Sequence, residues 1–217
     1  MLPFIQPMTL ASVREPFDDR DWIFEPKWDG FRALAYIDGH RCRLASRKGH
    51  IYKSWSLLAE ELAHAMQCLS AVIDGELVCL EPDGRSHFSN LLFRRDWPYF
   101  MAFDLLFLNG KDLRTRPLHE RKRMLAGIMP RVESRMRFVE GVNRRGVDFF
   151  RVACQHDVEG IVAKWKDGRY SSGPRTSWLK IRNPQYSQWE HRRELFEASR
   201  DNAMRHPLPA RPQLALV

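Results

Sequence analysis

The sequence predicts an α+β domain built on antiparallel sheets with helices packed beside them. Short apolar runs bounded by turn residues outnumber the helical stretches in the 217 residues. Two turns, Asp38-Gly39 and Asn109-Gly110, favour tight hairpins because such turns require positive φ. The run 100–108 is apolar on both faces, which indicates a strand at the centre of a sheet.

The strands follow one another as short apolar or alternating runs. They are predicted at 22–24, 31–37, 41–46, 72–73, 76–80, 100–108, 160–165 and 177–182. A further turn is expected at Pro82-Asp83-Gly84. Asp104 is the one acidic residue inside the central run. A buried carboxylate is costly without a partner, so this residue requires an explanation.

Helices are fewer. Apolar side chains repeat at intervals of three and four between Trp55 and Leu69, which predicts an amphipathic helix over 54–69. Further helices are expected over 118–129, 147–155 and 188–204. A tail with prolines at 207, 209 and 212 follows the last of them.

The composition indicates a globular protein with an anionic partner. Thirty-five Lys and Arg against 27 Asp and Glu give a net charge of +8, which suits a polyanion. The four cysteines form no Cys-x-x-Cys pair, so they predict neither a zinc site nor a secreted disulfide framework. No signal peptide and no uncharged apolar stretch of about 18 residues is found, so a cytoplasmic protein without membrane contact is expected, nucleoid-associated if bacterial.

The chemistry is concentrated in the motif KWDGFR at 27–32, which places an amine, a carboxylate, a turn glycine and a guanidinium close together. A lysine is almost fully protonated at neutral pH, since its ordinary pKa is about 10.4. Neighbouring cations lower the pKa of a lysine and so expose the nucleophilic amine. Lys27 is therefore a candidate covalent nucleophile, and its activation would require nearby cations such as other lysines or a bound metal.

Six motifs occur in order along the chain. They are EPKWDGFR at 25–32, SRKG at 46–49, DGE at 74–76, FD at 103–104, EGIVAK at 159–164 and WLKIR at 178–182. With them the chain resembles the adenylation domain of ATP-dependent DNA ligases, in the covalent nucleotidyltransferase superfamily. The resemblance spans roughly residues 5–190 and implies an ATP-grasp-like nucleotidyltransferase fold.

The resemblance implies a role for each motif residue. Lys27 attacks the α-phosphorus of ATP and carries AMP. Glu25 reads the adenine edge, Phe103 stacks on the base, and Arg32 and Glu76 contact the ribose or the phosphates. Arg47 lies near the nucleotide and the DNA phosphate, while Lys164 and Lys180 hold the α-phosphate. Glu159 and Glu76 are the expected ligands of Mg²⁺ or Mn²⁺, and Arg121 is a weaker assignment.

The resemblance also implies a domain organisation. Residues 1–190 correspond to the adenylation domain, and residues 191–217 to the end of a helix and a Pro-rich tail, too short for the OB-fold of longer ligases. The chain is then a minimal catalytic domain, a fragment or a degenerate relative. An OB-fold or a repair protein acting in trans is a candidate partner.

The function expected from these motifs is that of an ATP-dependent DNA ligase-like adenylyltransferase, which forms lysyl-AMP and seals nicks in double-stranded DNA. One alternative is an RNA ligase or another polynucleotide-end adenylyltransferase. The other is a non-catalytic nucleic-acid-binding relative. The presence of Lys27, Glu159, Lys164 and Lys180 disfavours the latter, because binding alone does not require that set.

Overall fold

A computed structural model of the chain describes residues 2–172 and 176–189. Within these residues the protein has eleven strands in two sheets and four α-helices. The strands are β1 Ala11–Ser12, β2 Asp19–Pro26, β3 Phe31–Asp38, β4 Arg41–Ser46, β5 Ser70–Val78, β6 Tyr99–Leu108, β7 Lys111–Asp112, β8 Met136–Phe138, β9 Val142–Arg144, β10 Gly160–Trp165 and β11 Trp178–Arg182. The helices are α1 Ser56–Ala65, α2 Phe88–Leu92, α3 Leu118–Ile128 and α4 Gly146–Gln155.

The larger sheet has the strand order β4-β3-β5-β6-β7, with β8 added beside β6. The apolar strand β6 is an interior strand, as the sequence predicts, because it pairs with β5 on one side and with the short strands β7 and β8 on the other. The hairpin turn at Asn109-Gly110 has positive φ at both residues, 45° and 85°. The two predicted strands at 72–73 and 76–80 are one strand, β5, because the backbone stays extended through Gly75.

The smaller sheet has the strand order β1-β11-β10-β2-β9. Most neighbours in both sheets are antiparallel, as expected. The pairs β1·β11 and β6·β8 are parallel, so the sheets are mixed rather than purely antiparallel. These two parallel partners are only two and three residues long. Such short strands leave little periodic signal in a sequence.

Helices α1, α3 and α4 confirm the positions of three predicted helices and correct their boundaries. The helix expected over 54–69 is a 3-10 turn at Lys53–Trp55 followed by α1, and it ends early because Met66 adopts an extended backbone. The short helix α2 was not predicted. The helix expected over 188–204 and the tail behind it lie almost entirely outside the described residues; Ser187 to Trp189 form a turn. No described helix is long and apolar enough to cross a membrane.

Apolar side chains fill the space between the two sheets and both outer faces. Ile23, Val162 and Trp178 of the smaller sheet meet Leu34 and Val72 of the larger sheet in one buried cluster. Helices α1 and α3 cover the outer face of the larger sheet, and α4 covers that of the smaller sheet. Strands β2 and β10 therefore turn alternate residues toward the space between the sheets, where the candidate site lies.

The buried acidic residue of the central strand has a partner on α3. Arg121 donates from Nε and Nη2 to the two carboxylate oxygens of Asp104, at 2.8 Å each, and neither side chain is exposed. The ion pair explains how a carboxylate is tolerated in an apolar strand.

Candidate active site between the two sheets

A cavity of about 470 Å³ opens between the two sheets. Seven of the predicted site residues line it: Glu25, Lys27, Arg32, Arg47, Glu76, Phe103 and Lys164. They come from β2, β3, β5, β6, β10 and two loops, so residues up to 139 positions apart in the chain share one pocket. Glu159 and Lys180 are not part of its lining, but both lie beside Lys27.

Strand register explains why Lys27 and Glu159 meet. Strand β2 ends at Pro26, which pairs with Ile161 in the antiparallel strand β10. Lys27, which directly follows β2, therefore lies close to Glu159, which directly precedes β10. The backbone N–H of Lys27 donates to the carbonyl of Gly160 at 2.9 Å. Lys27 Nζ forms an ion pair with Glu159 Oε2, whose side chain is almost completely buried.

Two glycines allow this loop to pack closely. Gly160 has φ of 142°, and a Cβ there would lie 2.1 Å from the carbonyl oxygen of Ile181. A Cβ on Gly30 would lie 2.0 Å from the carbonyl oxygen of Leu77. Any side chain at either position would push the Lys27 loop away from its neighbours.

The Glu25 carboxylate is buried and holds one lysine on each oxygen. Lys164 Nζ contacts Oε2 and Lys122 Nζ contacts Oε1, both at 2.5 Å. Lys164 also lies over the rings of Phe103 and Trp178, 4.1 and 4.2 Å from their centroids. Burial lowers the pKa of Lys164, and the Glu25 carboxylate opposes that effect. Because Lys164 also lines the cavity, a ligand bound there would meet this ammonium.

Arg32 is fixed before any ligand arrives. Its Nε and Nη2 donate to the two oxygens of Asp74, at 3.0 and 2.7 Å, and Nη1 donates to the carbonyl of Met8 at 2.8 Å. The hydroxyl of Tyr170 donates to Asp74 at 2.6 Å. The guanidinium is 5.5 Å from the centroid of Phe103, so it lies at the predicted base platform.

Glu76 lies opposite Arg32 in the strand register and lines the cavity. Burial raises the pKa of Glu76 to about 8, although Lys27 and Arg32 lower it, and the charges of Asp74 and Glu159 raise it further. Glu76 and Glu159 are therefore close enough to interact. Among the described residues no group of three or more His, Cys, Asp or Glu side chains could hold a metal. Two carboxylates are a donor set that suits Mg²⁺ completed by phosphates and water.

Lys180 belongs to the same face of the smaller sheet as Glu25. In the register Glu25 pairs with Val162, which pairs in turn with Lys180. Burial lowers the pKa of Lys180, and the neighbouring charges of Arg182 and Lys27 lower it further. Its partial burial and its position beside Lys27 agree with the predicted location at the nucleophile.

The structure changes the weaker assignment and adds residues that the sequence analysis missed. Arg121 is bound to Asp104 and is not part of the cavity lining, so its contacts are structural. Lys122, Tyr170 and Tyr186 were missed; Tyr186 donates to the Oδ2 of Asp29 in the nucleophile motif at 3.1 Å. The burial of Lys122 could have been inferred from the sequence, because Lys122 continues the spacing of the apolar residues Leu118 and Leu125 on α3.

Comparison with known proteins decides the family. A model of the ATP dependent DNA ligase domain matches residues 6–182. The chain belongs to the ATP-dependent DNA ligase domain family. The match confirms the resemblance inferred from the six motifs.

Relatives of this ligase-family domain include much longer proteins. It is 36% identical over 166 residues to the multifunctional non-homologous end joining protein LigD of Mycobacterium bovis, an alignment that covers 73% of this chain and 21% of that protein. It is 28% identical over 195 residues to the SPbeta prophage-derived DNA ligase-like protein LigB of Bacillus subtilis, covering 85% of this chain and 70% of that protein. The chain thus spans about a fifth of the mycobacterial protein.

A solved structure, mycobacterial DNA ligase D complexed with ATP and MES, matches with a TM-score of 0.68 and 33% identity. The match covers 81% of this chain and 59% of that one. It confirms the predicted α+β class and the nucleotidyltransferase architecture of sheets flanked by helices.

Proposed function

We propose that this ligase-family domain is a covalent adenylyltransferase. Lys27 takes AMP from ATP, passes it to the 5′-phosphate of a nick in double-stranded DNA, and the 3′-hydroxyl then displaces AMP. The observation that carries the proposal is the arrangement at the cavity between the sheets. Lys27 lines the cavity together with Lys164 and Phe103, and it forms an ion pair with the buried carboxylate of Glu159 beside the cavity. A nucleic-acid-binding module does not require a buried lysine–glutamate set of this kind.

In the first step Lys27 Nζ bonds to the α-phosphorus while the bond from that phosphorus to the pyrophosphate oxygen breaks. Nζ must first lose a proton, and Glu159 Oε2 is the acceptor in contact with it. Lys180 adds positive charge beside the nucleophile. Charge that builds on the α-phosphate is stabilised by Lys180 and by Lys164 once Lys164 leaves Glu25.

The remaining residues bind the nucleotide. Phe103 offers the face of its ring to the base, and Glu25 offers an acceptor oxygen for the amino group of adenine. Arg32 and Glu76 offer polar groups for the ribose. Mg²⁺ or Mn²⁺ would be held by Glu159 and Glu76 with phosphate oxygens. It supplies charge neutralisation during phosphoryl transfer. Arg47 lies at the cavity where its exposed side chain can reach a DNA phosphate as well.

The test is transfer of label from [α-³²P]ATP to the protein in the presence of Mg²⁺, scored after denaturation. The wild type should become labelled, and Lys27→Ala and Lys27→Arg should not, because neither side chain offers a neutral amine. Lys53→Ala, at an exposed lysine outside the cavity, is the matched control and should label normally. Label that persists on Lys27→Ala would overturn the assignment of the nucleophile.

Sealing assays separate the alternatives. We expect ligation of a nicked DNA duplex and little ligation when the broken strand is RNA; the reverse result would favour the RNA ligase alternative. Binding of nicked DNA should weaken with salt, with a log–log slope of about 0.9 for each phosphate contacted. Charge reversal in Arg47→Glu should weaken binding and sealing together. Salt-sensitive binding without any labelling by ATP would favour a non-catalytic binding protein.

A further inference from the structure

Lys122 is a buried lysine that no motif includes. It lies on α3, next to the buried Arg121 and to Arg123, which is exposed. Its Nζ donates to Glu25 Oε1 at 2.5 Å and to the carbonyl of Val139 at 2.8 Å. The ammonium also lies 4.7 Å from the ring centroid of Phe138. Two acceptors and an aromatic face hold this lysine in one place.

Glu25 thus has two cations, and they differ in what else they contact. Lys122 donates to the backbone carbonyl of Val139, and its side chain is not part of the lining of the cavity between the sheets. Lys164 lines that cavity, between the rings of Phe103 and Trp178. If Lys164 leaves for a phosphate, Lys122 remains as the donor that holds the carboxylate. One cation is therefore fixed and the other is available.

From this division we infer that Lys122 is the positioning residue for Glu25 and thereby determines which base the pocket accepts. Lys122 occupies Oε1, which leaves Oε2 as the oxygen that faces the base once Lys164 has moved. Adenine presents an amino group, which donates to a carboxylate oxygen. Guanine presents a carbonyl oxygen at the same position, which a carboxylate repels.

The inference rests on the proposed function, because base choice is measured through labelling of Lys27. Without Lys122, Lys164 would be the remaining cation on Glu25, and the carboxylate could rotate. Two effects should then appear together. Transfer from ATP should slow because Lys164 is retained at Glu25, and discrimination between ATP and GTP should fall because the acceptor oxygen is no longer fixed.

The experiment compares Lys122→Met with the wild type in labelling by [α-³²P]ATP and [α-³²P]GTP, each as kcat/KM. Methionine keeps the length and the apolar stem of lysine but removes the charge. We expect the ratio of ATP to GTP labelling to fall at least about tenfold, the size of one hydrogen bond to a charged group. Arg123→Met removes one cation from the adjacent, exposed position of the same helix and should leave the ratio unchanged.

A loss of stability alone would lower both rates and leave their ratio intact, so the ratio separates positioning from folding. If Lys122→Met does not fold, Lys122→Gln, which still donates a hydrogen bond to Glu25, is measured in its place. It should show a smaller fall in the ratio. A wild-type ratio in either folded variant would overturn the inference. Absence of labelling in the wild type would instead overturn the proposed function.

Discussion

Two arginine–aspartate pairs lie side by side on the larger sheet, and they differ in what surrounds the guanidinium. Asp74 on β5 is directly opposite Asp104 on β6. Arg32 binds the first carboxylate and Arg121 the second, each through Nε and Nη2. Tyr170 connects them, because it donates to Asp74 and lies under the guanidinium of Arg121.

The Arg121–Asp104 pair, the closed pair, makes all of its described contacts inside the protein. Arg121 Nη1 donates to the carbonyls of Arg116 and Gly168, at 2.5 and 2.9 Å, and the side chain has no exposed surface. Arg32 keeps 13% of its side chain exposed and lines the cavity. The same bidentate chemistry therefore stabilises the fold in one case and, in the other, fixes a guanidinium that lines the cavity. Exposure of the guanidinium, not the ion pair, distinguishes the two roles.

The largest expected effect comes from breaking the closed pair. Arg121→Met leaves the Asp104 carboxylate buried without its cation, which should lower the free energy of unfolding by about 3–5 kcal/mol. For a domain of this size that corresponds to a fall in Tm of roughly 10 °C. Thermal denaturation followed by circular dichroism measures it. Arg116→Met, at an exposed arginine paired with Glu120, should change Tm by no more than about 2 °C. Equal effects of the two variants would show that burial does not distinguish these pairs.

Breaking the open pair should affect ligand binding more than the fold. In Arg32→Met the space left by the guanidinium opens into the cavity, and the Asp74 carboxylate still accepts from Tyr170, so the loss of stability should be smaller than in Arg121→Met. Labelling by ATP should fall by about tenfold to a hundredfold, since hydrogen bonds to charged groups contribute about 1.5–3 kcal/mol. The rise in Tm that excess ATP gives the wild type should shrink in this variant. A full ATP-induced shift would contradict a nucleotide-binding role for Arg32.

A third prediction concerns the pH dependence of stability near the open pair. Burial raises the pKa of Glu76 to about 8 in the folded protein, from 4.5 as its ordinary value. The folded state then holds this proton at pH values at which the unfolded state has lost it. The contribution of Glu76 to the free energy of unfolding is therefore fully present below about pH 4.5, and it is lost as the pH rises toward 8.

The variant Glu76→Gln has no proton to lose at this position. The difference in Tm between Glu76→Gln and the wild type should therefore increase from pH 5 to pH 8.5, by about 2–4 °C for each kcal/mol of free energy involved. Thermal scans in matched ionic strength measure the difference. A difference that stays constant over this range would show that Glu76 titrates as an ordinary carboxyl group.

The smallest net effect is expected when both members of the closed pair are replaced. In the double variant Arg121→Met, Asp104→Leu, no charge remains unpaired, so most of the stability lost in Arg121→Met should return. Replacing a buried ion pair by apolar residues is often close to neutral. A double-mutant cycle of unfolding free energies gives the coupling. If the double variant is no more stable than Arg121→Met, the backbone contacts of Arg121 matter more than the charge pair.

The sequence by itself determined the features that depend on local physics. The Asn109-Gly110 turn, the apolar central strand β6 and the positions of α1, α3 and α4 follow from backbone preferences and side-chain periodicity. The six motifs in their order indicated the family, which the comparison with known proteins then established. Seven of the residues named from these motifs line one cavity, which forms where the two sheets pack together.

Only the tertiary structure decided which charged side chains form ion pairs with each other. Arg121, Lys122 and Arg123 are three consecutive basic residues. One binds a structural carboxylate, one binds Glu25 from 97 positions away, and one is exposed. Local sequence does not distinguish them, because an ion pair depends on distance in space and on the loss of water around both groups. Those quantities exist only after β2, β6 and α3 have packed, and that packing separates the cations at the candidate site from the structural ones.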